Sequence, residues 1–204
     1  MRKVLVMLML ATVALVPMSC KKIIKNLADS AIESTTGVEM GSTESLEKAA
    51  EAVAKIDTTQ YRIKDLRISA KGIDDECSNV LGSIYMFIIN DRDEVYSQHF
   101  YPTVDAPDPY NGLSRNKYTD FKTFSFDPKK FEGYIAECKA MIPKEYKFLC
   151  LNYITVENDG SAKITIHVQE IGKEKVESAG VSTEVYYVLK FEISPSGKIK
   201  MEMK

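Results

Sequence analysis

Tryptophan is absent from this chain of 204 residues, histidine occurs twice, and neither sign of charge dominates. Each shortage excludes something. Without Trp the chain lacks a side chain suited to a carbohydrate-stacking platform, although Tyr and Phe can also stack. Lys and Arg number 27 against 29 acidic residues, a net charge of −2, so there is no electrostatic footprint for nucleic acid. His99 and His167 fall on separate predicted strands in different halves. His167 alternates with Ile166 and is expected as a solvated strand histidine. Neither GxSxG nor HExxH is present, and no Ser- or Cys-based nucleophile motif appears. Metal spacings of the CxxC or Cys/His kind are missing as well. Asp74-Asp75-Glu76 and the Asp91, Asp93, Glu94 group carry suitable oxygens for calcium but lack the EF-hand spacing, and read as solvated turns. The expectation is a non-enzymatic protein with no metal and no cofactor. An enzyme with an unrecognised site stands as an alternative.

Long apolar runs are scarce too. The longest, Val4 to Val16, follows Arg2 and Lys3 and ends in Leu15-Val16-Pro17-Met18-Ser19-Cys20. It falls short of the roughly 20 residues of a comfortable membrane-spanning helix. A short basic stretch, an apolar run and then a small residue is the layout of a secretory signal. With Cys20 directly after Ser19, the segment resembles the lipobox of bacterial lipoproteins, in the looser form that ends in Ser-Cys in Bacteroidota. That resemblance implies cleavage before Cys20, a diacylglycerol on its thiol and acylation of the new amine. Several acyl chains hold a protein at a membrane far more durably than one. Loss of Arg2 and Lys3 with the signal would move the net charge from −2 to −4. Lys21 and Lys22 follow the cysteine, with no acidic cluster of the kind that marks surface export. The expected location is the cell envelope, at the outer membrane and facing the periplasm.

Five segments are predicted: a signal over 1–19, the lipidated Cys20 and its tether over 20–43, a first unit over 44–101, a connecting loop with a short strand over 102–126, and a second unit over 127–204. In the tether, Ile23, Ile24, Leu27, Ala28, Ala31 and Ile32 recur at helical spacing beside Lys21, Lys22 and Lys25. This segment is either a helix lying on the lipid surface or a spacer.

Helical periodicity next predicts an element over about 44–56, with Ser42 or Thr43 as N-cap and Leu46, Ala49, Ala50, Val53 and Ile56 on one face. Strands follow at about 61–69, 80–89 and 95–101. Tyr61, Ile63, Asp65 and Arg67 are expected on one face of the first strand, and Leu66 and Ile68 on the other. The order then recurs. Asp127 caps a helix with Pro128 at its first position. Strands follow over about 146–156 and 162–168, joined by an Asp159-Gly160 turn. An unbroken alternation runs over 181–193, and a last strand carries Ile199, Met201 and Met203. Tyr61-Arg62-Ile63-Lys64-Asp65-Leu66 resembles Tyr146-Lys147-Phe148-Leu149-Cys150-Leu151. The expected fold class is α+β: tandem units, each a helix and an antiparallel β-meander, with a helix packed on one face of each sheet. This plan is similar to that of periplasmic β-lactamase-inhibitor-like and PepSY-like proteins. The likeness is architectural, and it carries no functional residue over.

Cys138 lies on the helical stripe Phe131, Ile135, Cys138, Ile142, and Cys150 on the strand behind it. They read as two buried thiols or as a bridged pair. The loop from Tyr101 to Asp120 is long and without periodicity, which makes it either a recognition loop or a linker. Its Tyr101, Tyr110, Arg115 and Tyr118 are the candidate partner-binding residues, since Tyr and Arg dominate binding hot spots. The resulting expectation is a lipid-anchored protein that holds a protein partner, with an immunity or inhibitor role fitting. A structural or assembly lipoprotein of an outer-membrane complex is the second reading.

Overall fold

Two polar residues start the helices. Ser42 caps α1 (Thr43–Ala54), its hydroxyl accepting the Ser45 amide at 3.3 Å. Asp127 caps α2 (Pro128–Ala140) by accepting the amides of Lys129 and Lys130, and Pro128 presets the first turn. α1 buries Leu46, Ala49 and Ala52, while α2 buries Phe131, Ile135 and Cys138. The helices pack on each other, and Thr43 Oγ1 donates to Glu132 Oε1 across the contact at 2.6 Å.

The computed structural model describes residues 37–72, 77–110, 116–178 and 181–203. The signal segment, Cys20, most of the tether, Asp74-Asp75-Glu76 and Arg115 lie outside them. Val38–Lys204 forms one compact unit. Its strands are β1 (Tyr61–Ala70), β2 (Leu81–Asn90), β3 (Val95–Tyr101), β4 (Asp108–Pro109), β5 (Tyr146–Glu157), β6 (Ala162–Glu170), β7 (Lys175–Ser178), β8 (Val181–Glu184), β9 (Tyr187–Ile193) and β10 (Ile199–Met203). Eight of them form a single antiparallel sheet in the order β10-β9-β6-β5-β1-β2-β3-β4, and β7 and β8 form a separate hairpin.

This corrects the expected fold class. The chain is not a tandem α+β pair in which each unit covers its own sheet with a helix. It is mostly one eight-stranded antiparallel sheet with two helices among the described residues. The join is the pairing of β1 with β5, where Leu66 faces Val156 and Ile68 faces Ile154. A meander standing alone would leave the edges of both strands with unpaired amides and carbonyls. Pairing them satisfies those groups and merges two apolar faces into one core. Periodicity within a strand does not report which edge it will join.

The core lies between the helices and one sheet face. Ile63, Leu66, Ile68, Ile84, Met86, Ile88, Ile154, Ile164, Ile166, Leu189 and Phe191 all belong to it. Burying each such side chain contributes roughly 1.5–3 kcal/mol. Register irregularities decide some assignments. A bulge between Ile63 and Asp65 turns Ile63 onto the core face with Leu66 and Ile68, leaving Asp65 and Arg67 opposite. Ile63 was expected beside Asp65, so the bulge corrects that face. Gly82 sits at a second shift, where an added Cβ would lie 2.6 Å from the Ala70 carbonyl oxygen. Glycine is what allows the two backbones to approach there. The alternation over 181–193 is also divided: β8 pairs with β7 outside the main sheet, and β9 pairs with β6 inside it.

Candidate functional site

The sheet face away from the helices carries polar and aromatic side chains at its centre. Asp65 and Arg67 project there from β1, Tyr85 and Phe87 from β2, and Tyr153 from β5. The strands place them side by side: Arg67 is the ladder partner of Tyr85, and Asp65 of Phe87. Arg67 Nε donates to Asp65 Oδ1 at 2.7 Å, and Nη1 donates to Tyr85 Oη at 3.4 Å. The hydroxyls of Tyr85 and Tyr153 lie 3.0 Å apart. The guanidinium carbon is 4.6 Å from the centre of the Phe87 ring and 5.7 Å from that of Tyr85. His99 of β3 stacks on Tyr85 at 5.2 Å. A short hydroxyl pair, Ser69 and Ser83 at 2.7 Å, continues the polar strip.

Asp65 is only 3% exposed, whereas the Arg67 side chain is 32% exposed. Burial pushes the Asp65 carboxyl above its ordinary value, and the guanidinium pulls it back part of the way. For Arg67, burial acts to lower the pKa, and the bonds to Tyr85 and Asp65 more than reverse it. Glu157 faces Asp65 across the β1–β5 ladder, and burial followed by the Asp65 charge raises its pKa. Burial and the bond to Tyr85 push the Tyr153 hydroxyl up to about 12. The cluster holds an ion pair beside two hydrogen-bonded phenols. It presents a cation framed by rings, which suits recognition.

The three loop candidates among the described residues do not converge. Tyr101 packs against the core beneath the sheet. Tyr110 is 53% exposed and meets Phe87 edge to face at 4.8 Å on the open side. Tyr118 lies under the Arg62 guanidinium, 4.7 Å from ring centre to Cζ, and its amide donates to Asp93 Oδ1 at 2.7 Å. Arg115 is outside the described residues. Of the described candidates, Tyr110 alone joins the Arg67 cluster. The signal for that cluster was the Asp-x-Arg alternation of β1 beside Tyr-x-Phe in β2. Local alternation does not tell which strand will lie beside which, so the pairing of the two motifs was not legible.

A second group sits on the same face. Cys150 is bridged to Cys77, with Cα atoms 5.9 Å apart. This answers the question of the Cys138–Cys150 pair: Cys138 is a free thiol buried in the core, with burial pushing its pKa up to about 12. Cys150 points the other way, so the helix and its following strand present their sulfurs on opposite sides of β5. His167, the ladder partner of Cys150, is 4% exposed, which corrects the expected solvated histidine. Its ring stacks on Tyr186 at 4.8 Å, and Nε2 is 3.2 Å from the side-chain amide of Asn152. Nδ1 is buried without a hydrogen-bond partner among the described residues. Burial lowers the His167 pKa, favouring the neutral ring. A third feature is a cavity of about 490 Å³ at the ends of β6, β9 and β10. Two of its lysines are already matched to carboxylates, Lys163 to Glu192 at 3.8 Å and Lys200 to Glu202 at 3.2 Å.

No family model, curated protein or solved structure matches the chain.

Proposed function

We propose that this chain is a lipid-anchored, non-enzymatic protein of the bacterial cell envelope that binds a protein partner across the open sheet face around Arg67. The observation that carries the reading is the composition of that face. Arg67 stands half-exposed over Phe87, with Tyr85, Tyr153, His99 and Tyr110 around it. Arg and Tyr are the residues that carry most binding energy at protein interfaces, because they offer large rigid contact area with a polar tip. Here the Asp65 bond and the ring contacts already hold the guanidinium, so less side-chain freedom remains to be lost on binding. The membrane attachment rests on the sequence around Cys20. An immunity or inhibitor role suits an anchored sheet that offers a binding face.

The test is capture of partners from native membranes by the tagged, lipidated protein. A Cys20→Ala control separates loss of anchoring from loss of binding. Tyr110→Ala and His99→Ala change exposed rings and should leave the fold intact. One stoichiometric protein, retained by the parent and weakened at least about tenfold by each variant, is expected from the magnitude of interface hot spots. Retention that is unaffected by both variants would move the binding surface elsewhere.

A further inference from the structure

We propose that Cys77, Cys150 and His167 form a redox-gated site for Zn²⁺, closed as the disulfide and opened by a dithiol. The three donors are already gathered, with the two sulfurs and a ring nitrogen of His167 within 4.8 Å of one another. Two of them are set by the sheet itself, because Cys150 and His167 face each other across the β5–β6 ladder. The third is held by more than the disulfide. Asn79, two residues after Cys77, donates its side-chain amide to the Leu149 carbonyl at 3.0 Å, and its own carbonyl accepts the Met40 amide at 2.7 Å. The segment bearing Cys77 therefore stays beside Cys150 when the sulfurs part.

His167 supplies the independent sign of a ligand. A deeply buried Nδ1 with no partner among the described residues is a rare condition for a ring nitrogen. Asn152 engages the other nitrogen, Nε2. With the Asn152 side-chain oxygen accepting from Nε2–H, Nδ1 presents its lone pair, and the amide orientation that achieves this is a simple flip. Metal-bound imidazoles are held in this way, by an acceptor on the far nitrogen. Two thiolates and one imidazole suit a borderline-soft ion and leave a fourth position open. Cys77 is exposed while Cys150 is 1% exposed, so the site has one solvent-facing side.

The gating step balances. A thiolate of the dithiol attacks the exposed Cys77 sulfur, and Cys150 leaves. The second dithiol sulfur then resolves the mixed disulfide. The dithiol supplies two electrons and two protons and departs as its own disulfide. Zn²⁺ then displaces both thiol protons to solvent as it binds. This inference does not rest on the partner-binding reading.

The experiment titrates the anaerobically reduced, desalted protein with Co²⁺ and then Zn²⁺, following thiolate-to-cobalt charge-transfer absorption and circular dichroism together. One equivalent of Co²⁺ should bind to a natively folded chain and be displaced by Zn²⁺, while the oxidised protein takes up none. Cys138→Ala should bind as the parent does. Cys77→Ser should abolish the charge-transfer signal, and Asn152→Ala should weaken Zn²⁺ binding about 10- to 100-fold. Equal uptake by the oxidised protein, no uptake by the reduced one, uptake only by an unfolded chain, or a signal indifferent to Cys77→Ser each overturns the proposal.

Discussion

The two faces of the sheet differ in what organises them. On the covered face, β6 offers Ala162, Ile164, Ile166 and Val168, and β9 offers Leu189, Phe191 and Ile193, all buried in one apolar layer. On the open face the same strands offer Lys163, Lys190 and Glu192, which are exposed, with His167 and Gln169 as buried exceptions. The covered face is governed by area removed from water, which any side chain of suitable shape can supply. The open face is governed by particular partners: a guanidinium that needs its carboxylate, a phenol that needs another hydroxyl. Substitutions on the first should act through volume, and those on the second through charge and pH.

The largest effect should come from the covered face. Phe191→Ala removes a fully buried ring and should cost about 3–5 kcal/mol in urea unfolding. Its neighbour Lys190→Ala, on the open side, should stay within about 0.5 kcal/mol. Similar losses for both would break the contrast between the faces.

A smaller effect tests the ion pair. Arg67→Ala strands Asp65, a carboxylate 3% exposed, and should cost about 1–3 kcal/mol near neutrality. Burial already raises the Asp65 pKa, and loss of Arg67 raises it further. A folded pKa above the unfolded one means that the native state binds the proton more tightly. The penalty is therefore full above the folded pKa and fades as pH falls towards the ordinary value of 3.8. Thermal unfolding of variant and parent from pH 7 to pH 4 reads this directly. A gap that widens on acidification would contradict the assignment.

The smallest effect should be a gain. Glu157→Gln removes a carboxylate whose pKa is raised by burial and by Asp65. Stability should rise slightly at pH 7, and the advantage should vanish as pH falls to the ordinary glutamate value of 4.5. A gain that persists in acid would point to packing instead of charge.

Much of the covered face is legible in the sequence alone. The alternation of Ile164, Ile166 and Val168, the caps Ser42 and Asp127, and the Asp159-Gly160 turn each rest on neighbours within a few residues. What escaped reading depends on residues far apart. Leu66 opposite Val156 joins strands 90 positions apart, and no local pattern encodes that choice. The Lys64 bulge, which moves Ile63 to the core, arises from the same pairing constraints. Cys77 lies 73 residues from Cys150, and the turn-like residues before it gave no hint of their meeting. The open-face cluster around Arg67 was half visible, since Asp65 and Arg67 were placed together, but its phenols come from two other strands.

The sheet also has to stop growing. Its outermost strands are β4, two residues long, and β10, five residues long. Every open sheet ends in a row of backbone donors and acceptors that another chain could extend. At one border that row is almost too short to recruit anything. At the other, Lys200 and Glu202 project among the apolar residues of β10, so an incoming strand would have to bring its own matching charges. Wherever many copies crowd together, such guarded borders would keep neighbours from stitching into a continuous ribbon.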